Sequence, residues 1–175
     1  IIELVRQVLI NKQGKLTVAD IPAPTVEPGK VLVRTEYSVI SPGTEVATIK
    51  HHSAGLVSKA ISKPELIGKV ADQVMKKGAK ETVEFLKDNL TRWTALGYSA
   101  SGTILEVGAG VSKLKAGGKV ACIGAEYAYH ADIICVPENL AVHVPQEVSL
   151  QNAAFAPITA IAMQATRKCK ISIGE

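Results

Sequence analysis

Aromatic residues, cysteines and long apolar runs are all scarce in this sequence. Aromatic residues make up 4% of the 175 residues, so we expect a core of valine, isoleucine, leucine and alanine. The three cysteines, Cys122, Cys135 and Cys169, are far apart, and none belongs to a Cys-x-x-Cys pair. This spacing indicates neither a zinc knuckle nor a redox pair, and it is typical of reduced cysteines in a cytoplasmic protein. Because no apolar run reaches the length of a membrane span, no membrane partner is predicted.

The sequence also lacks any long block of like charges. Lysine and arginine number 20, aspartate and glutamate 16, and the formal net charge is +4. Nucleic-acid binding is therefore not predicted. A chain of this length can bury one core together with a helical appendage. The sequence begins without Met, and Glu3 and Arg6 stand where a signal peptide needs apolar residues, so we expect a piece of a longer protein.

Short alternating segments separated by glycine and proline dominate residues 1–40. Segments 5–11 and 16–18 alternate around a turn at 13–15, and segment 30–38 is rich in β-branched residues. Further strands are predicted at 101–107, 119–123, 130–136 and 141–144. Short strands with this punctuation favour a barrel or a sandwich over a sheet that alternates with helices.

Helical periodicity appears in two other places. Within residues 51–94, a capping box at 62–65 opens a pattern of apolar residues at helical spacing: Leu66, Val70 and Val74, then Val83, Leu86, Leu90 and Trp93. Two amphipathic helices are predicted there, whose apolar stripes either pack on the chain's own core or dock a partner. After the predicted N-cap Ser149, residues 150–167 form one helix that Pro157 should kink. The predicted fold class is thus mainly β with helices (α+β).

Four segments, in order along the chain, resemble motifs of one enzyme superfamily. Residues 28–34 read Pro-Gly-Lys-Val-Leu-Val-Arg, and residues 40–45 read Ile-Ser-Pro-Gly-Thr-Glu. Residues 96–111 resemble a Gly-His-Glu-x-x-Gly segment ending in Val-Gly-x-Gly-Val, and residues 114–120 resemble a Gly-Asp-x-Val turn. Together they make the chain similar to the GroES-like N-terminal catalytic domain of the medium-chain (zinc-type alcohol) dehydrogenase/reductase superfamily. Within it, the chain most resembles bacterial bi-domain oxidoreductases, which carry a Ser-x-Gly-Thr-Glu turn followed by a helical insert.

The resemblance implies a GroES-like, partly open β-barrel with a two-helix insert and a C-terminal helix. Residues 1–50 and 95–175 would form the substrate domain, and residues 51–94 the insert. The nucleotide-binding Rossmann domain of the superfamily is expected to follow this sequence, because residues 171–175 resemble the lead-in to its first strand. NAD or NADP would be bound mainly by that further domain, since no pyrophosphate-binding motif occurs here.

The resemblance also implies that the catalytic zinc of the superfamily is absent. The cysteine position of the zinc enzymes corresponds here to Pro42, the histidine position to Tyr98 and the glutamate position to Ser99. Catalytic zinc is held by thiolate, imidazole and carboxylate groups, and these three residues supply none of them. No metal ligand is therefore predicted.

The four histidines offer no substitute ligand set. His51 and His52 are adjacent, and neighbouring side chains on a helix point about 100° apart, which makes a poor chelate. His130 and His143 lie on predicted strands, where each is interpreted as hydrogen-bonded or facing solvent. No function is assigned to them.

Thr44 is the best candidate for catalysis. The resemblance places it at the Ser/Thr position whose hydroxyl bonds the substrate oxygen and the nicotinamide ribose in a proton relay, a task that suits a group that both donates and accepts. Thr44 is equally well explained as the N-cap of a short helix beginning at Glu45, and both roles can coexist. Pro42 and Gly43 are expected to contact the cofactor together with Thr44.

The remaining candidates carry weaker arguments. Tyr98 is the second catalytic candidate, because without zinc some donor must polarise a carbonyl or act as an acid. Its alternative interpretation is an aromatic side chain at a strand edge that fills the volume left by the metal. Ser41, Glu45 and Ser99 are predicted to line the substrate cleft.

Two functions remain open at this stage. The first is the substrate-binding, catalytic domain of a zinc-independent NAD(P)-dependent oxidoreductase that acts on a carbonyl or alcohol and is inactive alone. The second is a non-catalytic binding or scaffold module whose helical insert docks another domain or subunit. Expected partners are a small-molecule substrate, with a hint of sugar chemistry from the bi-domain resemblance, the chain's own Rossmann domain, and further copies of the chain in a homo-oligomer.

Overall fold

The structure is a computed structural model that describes residues 4–11, 13–53 and 93–169. The chain divides into two compact units. The first comprises Ile1–Val8, Val18–Ser41 and Ala95–Glu175, and the second comprises Leu9–Thr17 and Pro42–Thr94. The two helices predicted within residues 51–94 lie almost wholly outside the described residues.

The described residues form a three-stranded sheet, a five-stranded antiparallel sheet and three α-helices. The strands are β1 (Leu4–Asn11), β2 (Leu16–Pro22), β3 (Lys30–Ser38), β4 (Trp93–Ala95), β5 (Ser99–Val107), β6 (Lys119–Ile123), β7 (Ile133–Pro137) and β8 (Ala141–His143). The helices are α1 (Pro42–Ser53), α2 (Leu150–Ala153) and α3 (Ala156–Cys169), with a 3-10 turn at Glu138–Leu140. The strand orders are β2-β1-β4 and β7-β3-β5-β6-β8, which confirms the mainly β architecture with helices. None of the helices described is long and apolar enough to cross a membrane.

The larger of two core clusters is built on the five-stranded sheet, and the smaller one joins Ala121 and Val144 to Leu150 and Ala153 of α2. In β3, Val31 and Val33 are fully buried, as the alternation of a strand requires. They pack in one cluster with apolar side chains of β5, β6 and β7, which include Ala100, Ile104, Val120, Cys122, Ile134 and Val136. The buried apolar residues in the described part are aliphatic or cysteine, as the scarcity of aromatic residues predicts. Burying each valine or isoleucine contributes about 1.5–3 kcal/mol relative to leaving it exposed.

The predicted helix over residues 150–167 is two helices in the structure. Ser149 is the N-cap, and its Oγ accepts a hydrogen bond from the backbone N of Asn152 at 3.2 Å. The helix α2 ends at Ala153, and α3 begins at Ala156 with Pro157 in its first turn. The expectation of a kink at Pro157 is therefore wrong, because proline fits the first turn of a helix, where its missing N–H is not needed.

Two other boundaries differ from the sequence prediction. Trp93 was expected to continue an amphipathic helix but belongs to β4, because this segment pairs with β1. The strand predicted over 130–136 begins only at Ile133 as β7. The residues just before it bond to other segments: the backbone N of His130 donates to the Leu96 carbonyl at 2.7 Å, and the backbone N of Val8 donates to the His130 carbonyl at 2.9 Å.

Candidate functional site

The predicted catalytic and cofactor residues at 42–45 form the first turn of α1. Proline is favourable at this position of a helix. Since α1 begins at Pro42, Thr44 lies inside the helix and is not the N-cap of a helix beginning at Glu45, so that alternative is wrong. Thr44 is exposed, and its carbonyl accepts a hydrogen bond from the Thr48 hydroxyl at 2.8 Å. A Cβ built on Gly43 would meet no atom within 4 Å, so the turn leaves space for a ligand to approach its backbone.

Tyr98 and Ser99 lie in the other unit, at the start of β5. Tyr98 is half-buried, and its carbonyl accepts a hydrogen bond from the backbone N of Gly124 at 2.9 Å. Ser99 is fully buried, and its hydroxyl donates to the Ala154 carbonyl at 2.6 Å, between α2 and α3. The hydroxyl at this position, predicted to line the substrate cleft, is thus used in joining the sheet to the helices. Ser41 precedes α1 and is half-buried.

No group of three or more histidine, cysteine, aspartate or glutamate side chains able to hold a metal occurs among the described residues. Cys122 and Cys135 are buried, and Cys169 is exposed. Burial raises the pKa of the Cys122 thiol to about 12, so Cys122 stays protonated and is a poor metal ligand or nucleophile at neutral pH. Zinc independence remains a prediction.

A polar cleft of about 260 Å³ lies within the first unit. It is lined by Arg6, Gln7, Val8, Val18, Thr35, Glu36, Ser38, His130, Ala131 and Asp132. None of the residues predicted for the catalytic site lines this cleft. The cleft forms where β1 and β3 lie beside residues 130–132. A β-bridge between Gln7 and Ala131 links β1 to those residues.

A β-bulge in β3 brings neighbouring side chains to this polar cleft. In the pairing with β5, Thr35 lies opposite Gly102 and Tyr37 lies opposite Ser101, so Glu36 is an extra residue. A bulge interrupts the alternation of side chains along a strand, which allows Thr35 and Glu36 to line the same cleft. Gly102 permits this pairing, because a Cβ there would lie 2.0 Å from the Arg34 carbonyl oxygen.

An ion pair between Arg6 and Asp132 forms part of the cleft wall. The Nε atom of Arg6 lies 3.0 Å from Oδ2 of Asp132, and Nη2 lies 3.1 Å from Oδ1. The backbone N of Arg6 also donates to Oδ2 at 2.9 Å. These hydrogen bonds hold the pKa of Asp132 below its usual range, the Arg6 side chain being the largest cause. Because both side chains are well exposed, the pair contributes little to stability but fixes the position of two charged groups.

His130 and Ser38 form a second polar contact in the cleft, with Nδ1 and Oγ 2.9 Å apart. His130 is half-buried, so the interpretation of a hydrogen-bonded histidine is confirmed, although it precedes β7. Thr35 Oγ1 is the one buried side-chain oxygen of the described residues that has no hydrogen-bond partner. No pattern in the sequence indicates this cleft, because its residues come from four separate segments and depend on the bulge at Glu36.

Known proteins resemble this chain in sequence and structure, although no family model matches it. The chain is 23% identical to (R,R)-butanediol dehydrogenase of Bacillus subtilis (strain 168) over 188 aligned residues, covering 94% of this chain and 47% of the dehydrogenase. The structure of the quinone oxidoreductase of Coxiella burnetii is similar with a TM-score of 0.67 and 19% identity, over 99% of this chain and 47% of that one. A mycobacterial protein complexed with NADPH is similar with a TM-score of 0.59 and 16% identity, over 94% of this chain and 40% of that one.

The likeness extends over nearly all of this chain, which spans about half the length of the butanediol dehydrogenase. It agrees with the four sequence segments that resemble the superfamily and with the observed order of strands. The chain therefore has the GroES-like fold of the N-terminal catalytic domain of the medium-chain (zinc-type alcohol) dehydrogenase/reductase superfamily.

Proposed function

We propose that the chain is the substrate-binding, catalytic domain of an NAD(P)-dependent oxidoreductase that acts on a carbonyl or alcohol without zinc. The observation that carries this proposal is the likeness in fold to a quinone oxidoreductase over 99% of the chain. The NADPH complex of another protein with this fold supports the choice of cofactor. Pro42, Tyr98 and Ser99 at the positions of the zinc ligands support a mechanism without metal.

The first turn of α1 fits a role in cofactor binding. The start of this 12-residue helix carries the positive end of the helix dipole, which favours an anionic or polar group, and Gly43 leaves the approach open. Pro42, Gly43 and Thr44 would hold the nicotinamide end of the cofactor here, and the rest of the cofactor would lie on a further domain. NAD(P) supplies the hydride in reactions of this class.

The chain itself would supply the proton. The Thr44 hydroxyl donates and accepts hydrogen bonds, so it can pass a proton to the oxygen of a reduced carbonyl. The Tyr98 phenol would donate a hydrogen bond to a substrate carbonyl oxygen and stabilise the charge that develops there. Ser41 and Glu45 are each proposed to contact the substrate. Substrate class beyond carbonyl or alcohol, including a sugar-related compound, and self-association of the chain remain predictions.

The test uses the full-length protein that contains this chain. Oxidation of NADH and NADPH is followed with quinones, aldehydes and ketones, with and without a metal chelator. We expect activity that the chelator leaves unchanged. Thr44→Val should lower kcat by roughly 100-fold or more, as removal of a proton-transfer group does, whereas Thr44→Ser should retain most of it. Loss of activity on chelation would refute zinc independence, and full activity of both Thr44→Val and Tyr98→Phe would refute the assigned roles.

A scaffold function is the second candidate, and one observation favours it. Apolar side chains in and before α3 are largely exposed: Phe155 is 51% exposed, Ile161 61% and Met163 50%. Such a surface suits the docking of another domain or subunit. Under this alternative, the full-length protein would bind no nicotinamide cofactor in a fluorescence titration with NADH or NADPH.

A further inference from the structure

We infer that the polar cleft lined by Gln7, Thr35 and His130 is a binding site for a small, neutral molecule rich in hydroxyl groups. The cleft lies entirely within the first unit, and none of the proposed catalytic residues lines it. The inference therefore does not depend on the proposed redox function.

Gln7 is the first residue that points to a ligand. It is only 6% exposed, it lines the cleft, and no hydrogen bond to its side-chain amide occurs among the described residues. The Gln7 amide is not one of the fully enclosed polar groups that lack a partner, so its polar atoms remain open to the cleft and within reach of a bound molecule. The amide offers two N–H donors and one carbonyl acceptor, which together match a hydroxyl group.

Thr35 is the second residue that points to a ligand. Its Oγ1 is buried without a partner at the cleft, beside the bulge that also brings Glu36 there. Rotation about the Cα–Cβ bond moves the hydroxyl between staggered positions, so the hydroxyl can turn toward a bound molecule. Ser38 and His130, joined at 2.9 Å, add a further hydroxyl and imidazole to the same lining.

The charges of the cleft select a neutral ligand. The cationic group of Arg6 is held by both oxygens of Asp132. Glu36 accepts a hydrogen bond from the Thr103 hydroxyl at 2.7 Å. It adds a negative charge that forms no ion pair within the described part of the chain. An anionic ligand would meet this carboxylate with no unpaired guanidinium to balance it, which disfavours phosphates and carboxylates.

The size of the cleft limits the ligand to about one sugar ring. Its volume of about 260 Å³ is close to the lower end of the range for small-molecule pockets, roughly 300–1,000 Å³. The amide of Gln7, the hydroxyls of Thr35 and Ser38 and the imidazole of His130 supply donors and acceptors that suit a polyol. A neutral hexose meets the demands of size, charge and hydrogen bonding, and D-glucose is a suitable probe.

The experiment titrates D-glucose into the 15N-labelled chain and follows the side-chain amide signals of Gln7 by NMR, with D-glucuronate as the anionic counterpart. We expect saturable shifts of the Gln7 amide, centred at millimolar concentration, and binding of D-glucuronate at least roughly fivefold weaker. No saturable shift up to about 100 mM D-glucose would overturn the inference, because such an affinity is no better than that of any surface. Tighter binding of D-glucuronate would also overturn it.

Two variants assign the binding to the cleft. Gln7→Met keeps the length of the side chain and removes its hydrogen bonds, so D-glucose should bind roughly tenfold more weakly, now read from the backbone signals around Thr35. Gln151→Met, which changes an exposed glutamine of α2, is the matched control and should bind as the unchanged chain does. Equal affinity of the Gln7 and Gln151 variants would refute the site.

A third variant keeps the test decisive if Gln7→Met fails to fold. Thr35→Val replaces the unpartnered hydroxyl by a methyl group of similar shape, so it should fold at least as well as the unchanged chain. We expect its thermal midpoint to stay equal or rise, while its affinity for D-glucose falls roughly threefold or more. A clear loss of stability would mean that the hydroxyl already has a partner, which would overturn the inference.

Discussion

The backbone of Gly97 lies directly against the imidazole ring of His130. A Cβ built on Gly97 would lie 2.8 Å from the backbone N of His130 and 3.0 Å from its Cε1 and Nδ1 atoms. Gly97 also has a φ of +101°, a conformation that L residues with side chains rarely adopt. The glycine that opens the Gly-Tyr-Ser segment is therefore required by the fold alone, whatever chemistry the next two residues perform.

Gly97→Ala should destabilise the chain strongly, because it combines the backbone cost with a clash. Gly110→Ala is the matched control: Gly110 has a φ of +86°, but a Cβ there would meet no atom within 4 Å. We expect about 1 kcal/mol of destabilisation for Gly110→Ala and at least about 2 kcal/mol for Gly97→Ala. Urea unfolding followed by circular dichroism measures both. Equal losses would show that His130 moves aside without cost.

The buried serines of β5 should matter more for stability than an exposed cap. The hydroxyls of Ser99 and Ser101 donate to the carbonyls of Ala154 and Leu150 at 2.6 and 2.5 Å. Each Ser→Ala change should cost about 1–3 kcal/mol, because a buried hydrogen bond from the sheet to a helix carbonyl is lost. Ser149→Ala, which removes the N-cap of α2, should cost about 1 kcal/mol. Urea unfolding measures the free energy of unfolding of all three variants. A smaller loss in Ser99→Ala and Ser101→Ala than in Ser149→Ala would mean that the two serines do not anchor the helices.

Asp132 should contribute to the fall of stability in acid. Its pKa is lowered in the folded chain, so its contribution is present above the unfolded pKa, about 3.9, and is lost as the pH falls through the folded value. The urea concentration at the unfolding midpoint should therefore fall less between pH 5 and pH 2 in Asp132→Asn than in the unchanged chain. The difference should be small because the ion pair is exposed. A steeper acid loss in Asp132→Asn than in the unchanged chain would contradict the sign. Arg6→Gln removes the partner and should act in the same direction.

The cysteines should differ sharply in reactivity. Cys122 is buried with its pKa raised to about 12, whereas Cys169 is exposed near the end of α3. Because the thiolate is the reactive form, iodoacetamide at neutral pH should modify Cys169 and leave Cys122 unmodified in the folded chain. Peptide mass spectrometry before and after unfolding measures this. Rapid modification of Cys122 in the folded chain would mean that β6 opens readily.

The sequence predicted the regular strands well and the irregular ones poorly. Strands β3 and β6 begin and end at the predicted residues, because runs of β-branched residues bounded by glycine or proline leave little choice. Residues 130–132 were assigned to the following strand, but their bonds to β1 and to Leu96 separate them from it. Such a change of partner depends on tertiary contacts that no local pattern records.

The candidate sites were predictable to different degrees. The helix that contains Thr44 was expected, although it begins earlier, since proline at position 42 suits a first turn. The polar cleft was not expected, because Glu36 looks like an ordinary member of an alternating strand. Only the register with β5, which skips one residue there, reveals the bulge. Single residues such as Gln7 and Thr35 carry no signal in sequence, because their lack of partners is a property of the folded chain.

The position of Ser99 limits which side chains this place in the fold can accept. In zinc enzymes that this segment resembles, a glutamate stands at this place, whereas here the side chain is fully buried and ties the sheet to the helices. A glutamate would bring a larger, charged group into a space that a small hydroxyl fills. A zinc ligand at position 99 would thus demand a rebuilt junction between β5 and the α2–α3 segment. Substitution of Ser99 alone would not suffice to create one.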